Sequence, residues 1–211
     1  MSLDSQIQDF WIEEERFNRV VESIPLDNPK DRVKIDRLLR KSNSIISSNN
    51  SLNEFGLEEY SVFFVDNNDN FNLYRDTTFG FVLTKNTNIE PIKGLAVLGF
   101  SFRKRGSILI EQIQGTKGLH IGRDIPFEWD FKFLKFSLSY FTQNNFDRID
   151  MSPGERTTYY NHPIGIYGKN RIAVHQKRMH SRYDVNAIKA GFVYSPEEKV
   201  YELNLAKSKI D

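Results

Sequence analysis

Residues 94–118, GLAVLGFSFRKRGSILIEQIQGTKG, decide the fold. They read as two strands joined by a tight turn at Arg103-Lys104-Arg105-Gly106, followed by a glycine-bearing polar loop. The first arm, Leu95 to Phe102, is almost continuously apolar, the pattern of a strand buried on both faces. In the second arm Leu109, Glu111 and Ile113 alternate with Ile108, Ile110, Gln112 and Gln114, so one face turns polar toward its end. A strand that becomes polar where it meets a glycine loop is a place for a ligand to approach the backbone.

The pattern extends in both directions. Upstream, 61–65 and 79–84 are apolar strands separated by the turn-rich Asp66-Asn67-Asn68-Asp69-Asn70, and 72–75 allows a short further pairing. Four or five strands in succession with no helix between them predict an antiparallel meander and argue against a doubly wound parallel sheet. Before them lie two helical patterns. Ile7, Phe10, Trp11, Phe17, Val20, Val21 and Ile24 form one stripe, ended by Pro25. Asn28 caps and Pro29 opens the second, with its stripe at Ile35, Leu38, Leu39, Ile45 and Ile46. Both are read as packing elements.

Downstream, Pro126 marks a helix start, with Trp129, Phe133, Phe136, Leu138 and Tyr140 on the helix. A short strand at 148–151 follows, so this helix reads as a crossover returning to the sheet. Next come a polar loop at 153–170, a helix at 171–190 closed by Gly191, and a terminal hairpin. The chain divides into a helical pair at 1–50, packed on an α+β domain at 51–211.

Composition removes several classes of function. Twenty-nine Lys and Arg balance 28 Asp and Glu, so no global charge argues for nucleic acid or an anionic membrane. No cysteine is present, which excludes disulfides, thiolate nucleophiles and Cys-based zinc sites. The start MSLDSQIQDFWIEEE lacks the charge and apolar regions of a signal peptide, and no apolar run reaches the roughly 20 residues of a membrane span. The expectation is a cytoplasmic protein without a membrane.

Two short motifs and the order of elements carry a resemblance. Gln112-Ile113-Gln114-Gly115 closes the long hairpin, and Ala187-Ile188-Lys189-Ala190-Gly191-Phe192 ends the last helix. With the helices, meander, loop, helix, strand, helix and hairpin in that order, residues 60–205 resemble the GNAT superfamily of N-acetyltransferases. The resemblance implies a mixed, mainly antiparallel sheet flanked by helices, and acetyl-CoA or another acyl-CoA as cofactor. It places the pyrophosphate at Gln112, Gln114, Gly115, Thr116, Lys117 and Gly118. The chain departs from the family pattern where Lys117 replaces a small residue, and where Ala187 stands at the position of the family's tyrosine acid. Tyr183, one helical turn earlier, is the tyrosine nearest to that role.

Site candidates keep two readings each. Glu111 is the base for an attacking amine, or a solvated carboxylate on a sheet face. The glycines of 114–122 wrap phosphates with help from Lys117 and Arg123, or simply turn the chain. His180 and Asp184 share a helical face but make a poor metal site alone, and no metal is expected. Lys169, Arg171, Lys177, Arg178, Arg182 and Lys189 form a solvated basic face or a phosphate contact. Tyr159 and Tyr160 line a pocket or donate protons from their loop. The leading expectation is acyl transfer to a small-molecule or peptide amine, with Glu111 and Tyr183 as catalytic residues. The alternative is a domain of the same fold without catalysis that binds protein, peptide or RNA.

Overall fold

A computed structural model of the chain describes residues 29–40, 44–66, 77–85, 94–103, 106–116, 119–157, 160 and 169–205. The expected helix before Pro25 and the short pairing at 72–75 lie outside them. The architecture is α+β, built on an open, mostly antiparallel sheet of eight strands in the order β1-β2-β3-β4-β5-β6-β8-β7. The strands are β1 Ser44–Ser48, β2 Tyr60–Val65, β3 Phe79–Lys85, β4 Gly94–Phe102, β5 Ile108–Gly115, β6 Arg148–Met151, β7 Val193–Ser195 and β8 Val200–Asn204.

β1 to β5 follow one another as the meander that the sequence predicts. Among the described strands the one parallel pair is β5 with β6, and helix α2, Trp129–Gln143, is the crossover between them. β8 inserts beside β6, leaving β7 at the edge.

The sheet and α2 meet through aromatic rings. Trp129, Phe133, Phe136 and Tyr140 recur at spacings of four and three, which stacks them on one helical face, and all are buried. Beneath them Phe64, Phe81 and Phe100 stand side by side on β2, β3 and β4. Ring centroids are 5.7 Å apart for Phe64–Phe81 and 5.1 Å for Phe81–Phe100. Phe141 closes on Phe100 at 5.0 Å, edge to face. Such pairs add about 0.5–1.5 kcal/mol each beyond the area they bury. Phe63, Val82 and Val97 form a row on the other face, whose next member on β5 is Gln114.

Helix α1, Pro29–Leu39, buries Ile35, Leu38 and Leu39 in the main core. Its expected extension through Ile45 and Ile46 is corrected: both residues lie in β1, antiparallel to β2. The segment Ser-Ile-Ile-Ser-Ser joins β-branched residues, stiff at χ1, to serines that compete with the helical backbone, so pairing with β2 prevails. The sheet therefore starts before residue 50. α2 also starts later than Pro126 predicts. Glu128 adopts a left-handed conformation, φ 54°, and the helix begins after it.

The last helical segment runs from Lys169 to Lys189 in three parts. These are α3 Lys169–His180, a π turn Ser181–Val185, and α4 Asn186–Lys189. Among the described residues no helix is long and apolar enough to cross a membrane.

Candidate functional site: the parted edge of β5

β5 does not alternate regularly. Leu98 pairs with Ile113 and Gly99 with Gln112, yet Phe100 pairs with Ile110. Glu111 is thus an extra residue, a β-bulge, which bends the strand and resets which side its residues face. Ile108, Ile110 and Ile113 all enter the main core. Glu111, Gln112 and Gln114 turn to the opposite face. Glu111 there accepts the Ser101 hydroxyl at 2.6 Å, and Gln112 Nε2 donates to Gln114 Oε1 at 3.0 Å. The expected grouping of Glu111 with Leu109 and Ile113 holds only up to the bulge.

The bulge also ends the parallel ladder. Ile108, Leu109 and Ile110 pair with Ile149, Asp150 and Met151, and the Ser152 N–H donates to the Ile110 carbonyl at 2.9 Å. Beyond that point β5 continues to Gly115 with β4 beside it, while β6 has ended. The π turn fills the space so opened. The Ile113 N–H donates to Tyr183 Oη at 2.7 Å, and Arg182 Nη1 donates to the Ile113 carbonyl at 3.4 Å. Tyr183 is 2% exposed. The Arg182 guanidinium lies 5.2 Å from the Trp129 ring and 3.5 Å from Asp130. Arg182, expected on a solvated face, is instead an internal contact of the sheet.

The two proposed catalytic side chains come to the same stretch of β5. Glu111 is the bulge itself, and Tyr183 meets the backbone two residues later. The proposed phosphate loop is less open than its sequence implies. The Thr116 N–H donates to the Leu95 carbonyl at 2.8 Å, because pairing with β4 runs one residue beyond Gly115. A Cβ placed on Gly115 would meet the Leu119 side chain and lie 3.4 Å from the Trp129 ring, so that flank is packed. Lys117 and Gly118 lie outside the described residues.

Other anion-attracting features of this region are internally matched. Arg123 reaches Asp124 at 2.9 Å, and this hydrogen bond holds the Asp124 carboxyl well below the usual carboxylate range. The Phe131 N–H, in the first turn of α2, donates to Asp130 Oδ1 at 3.0 Å, so a carboxylate of the chain itself stands at the positive end of that helix. Lys189 pairs with Glu128 at 2.7 Å and lowers its pKa.

A second constellation, whose members the sequence shows only separately, lies where β6 ends. Asp184, on the π turn, accepts the Gly154 N–H on Oδ1 at 2.8 Å and hydrogen-bonds His180 Nδ1 through Oδ2. His180 Nε2 in turn lies 3.1 Å from the Tyr160 hydroxyl. Gly154 permits this approach: a Cβ there would lie 2.9 Å from the Met179 carbonyl oxygen. The i,i+4 spacing of His180 and Asp184 is visible in the sequence; Tyr160, twenty residues earlier, is brought in by the fold. Tyr159 lies outside the described residues.

Among the described residues no group of three or more His, Cys, Asp or Glu side chains is arranged to hold a metal ion. No family model, no curated protein and no solved structure matches the chain.

Proposed function

We propose that the chain is an acyl-CoA-dependent N-acyltransferase, of the kind the GNAT resemblance implies, acting on a small-molecule or peptide amine. One observation carries the reading: the parallel pair β5–β6 parts at a bulge, with a tyrosine hydroxyl on the backbone of the longer strand beyond that point. Such an edge suits an extended, amide-bearing arm such as that of coenzyme A, which adds alongside a strand by backbone hydrogen bonds.

In the proposed reaction the amine nitrogen attacks the thioester carbonyl carbon. The C–N bond forms, the C–S bond breaks, and its electrons leave on sulfur. Tyr183 gives the thiolate a proton, and Glu111 removes one from the nitrogen, directly or through water. Backbone N–H groups of β5 stabilise the oxyanion that develops in between. For the arm to bind, Tyr183 and Arg182 must yield part of the Ile113 edge.

That requirement also supports the alternative, a non-catalytic domain that binds protein, peptide or RNA. In this second reading the Tyr183 and Arg182 contacts are a permanent seam. The Thr116 N–H held by Leu95 and the packed flank of Gly115 favour it.

Acetyl-CoA separates the two. A ligand selective for the folded chain at 100 times its Kd stabilises it by about 2.7 kcal/mol. For a chain of this size that raises Tm by roughly 5–11 °C. We expect this shift together with heat in calorimetry. No heat and no shift at millimolar acetyl-CoA ends the transferase reading and leaves the binding module.

A further inference from the structure

We infer that Tyr160, His180 and Asp184 form a proton-transfer triad that makes Tyr160 a reactive tyrosine. The three are joined end to end: Tyr160 Oη to His180 Nε2 at 3.1 Å, His180 Nδ1 to Asp184 Oδ2, and Asp184 Oδ1 to the Gly154 N–H at 2.8 Å. This order fixes the roles. Asp184 accepts only, so His180 Nδ1 carries hydrogen and Nε2 is left to accept from the phenol. The backbone N–H on its other oxygen keeps Asp184 from turning away. The arrangement has the logic of a nucleophile, base and orienting acid, with a phenol in place of an alcohol.

Access is present as well as geometry. The His180 side chain is 48% exposed while that of Asp184 is 16% exposed, so the chain leads from a covered carboxylate outward to solvent. Tyr201 of the terminal hairpin lies in the field of Asp184, together with Tyr194 on the same hairpin and Glu155 on the short turn after β6. Lys177 lies one turn earlier on α3. Glu155, Tyr194 and Asp184 all add to the burial that raises the Tyr201 pKa, so that tyrosine stays protonated beside the triad. Arg156 is turned to the Lys199 carbonyl at 2.8 Å. The Asp184 carboxylate on Nδ1 stands where it stabilises the positive charge that forms when Tyr160 gives its proton to Nε2.

The inference deepens the acyl-transfer reading and rests on it for the substrate class, an amine whose proton must be removed. Tyr160 passes its proton to His180 Nε2, and the phenolate takes one from the nucleophile as its bond to the acyl carbon forms. His180 then releases its extra proton to water. Tyr160 is then a second base beside Glu111, with His180 and Asp184 as positioning residues.

The test needs no coenzyme. p-Nitrophenyl acetate acetylates reactive tyrosines: the Tyr160 oxygen bonds to the acetyl carbon, p-nitrophenolate leaves with the electrons of its bond, and the proton goes to His180. Peptide mass spectrometry reads the modified residue. We expect Tyr160 to be acetylated at least tenfold faster than Tyr194, an exposed tyrosine in the same molecule that serves as the internal standard. His180→Gln should slow Tyr160 at least tenfold and Asp184→Asn several-fold, with Tyr194 unchanged in both. Acetylation of Tyr160 no faster than Tyr194, or an unaltered rate in a folded His180→Gln, overturns the triad. A protein that labels at Tyr160 yet ignores acetyl-CoA keeps the triad and loses the coenzyme, so the two failures are distinct.

Discussion

Asp150 and Asp184 are the same residue in opposite situations. Asp150, on β6, is fully buried and accepts Arg103 Nη1 and Arg148 Nε at 2.8 Å each and the Ser107 hydroxyl at 3.3 Å. Its arginines continue to Glu198 and Glu202, so the carboxylate is held within a network of two arginines and three carboxylates. Asp184 pairs with an imidazole whose far nitrogen faces a phenol, on a side chain open to solvent. A carboxylate matched on every side holds elements together. One matched through a titratable ring passes its influence outward, and chemistry belongs at the second kind.

That contrast is breakable. Asp150→Ala leaves two arginines without their shared partner and should cost about 3–5 kcal/mol, as loss of one member of a buried ion network does. Asp184→Asn keeps most of the shape and should cost about 1 kcal/mol, the order of one ordinary hydrogen bond. Urea denaturation of both variants measures the difference, and equal losses would erase it.

Tyr183 sharpens the contrast from between the two. It is buried like Asp150 but stands on the parted edge. Tyr183→Phe removes the acceptor of the Ile113 N–H and should cost about 1–3 kcal/mol. Hydrogen exchange at the Ile113 amide should quicken with it. Unchanged exchange would mean that another group replaces the phenol at that edge.

The smallest effect concerns an exposed pair. Lys189 lowers the Glu128 pKa by a hydrogen bond and its charge, so the pair contributes above the ordinary glutamate pKa of about 4.3 and the contribution fades as pH falls through the lower folded value. Lys189→Met should return Glu128 to its ordinary range in a carboxyl NMR titration, with no measurable loss of stability at pH 7.

The sequence discloses the sheet better than the site, for physical reasons. β4 is legible because burial on both faces demands an unbroken apolar run. The α2 stripe is legible because aromatic spacing of four and three has one interpretation. The bulge is written in the apolar spacing Ile108, Ile110, Ile113, an interval of two followed by three, but a strict alternation template conceals it. The closed flank of Gly115 depends on Leu119 and Trp129, which the chain brings over it from elsewhere. Tyr160 meets His180 only because Gly154 lets the end of α3 settle against the turn after β6. No local pattern records that approach.

The π turn sets the phase of the last helix. Upstream of it, α3 presents His180 to Tyr160; downstream, α4 buries Ala187 and brings Lys189 to Glu128. An unbroken α-helix advances about 100° per residue and could seat only one of these halves against its own wall. The widened turn inserts the missing step, much as a leap day keeps two calendars aligned. Deleting Val185, whose side chain is exposed, would remove that step and force the helix to choose between the relay at one end and the core at the other.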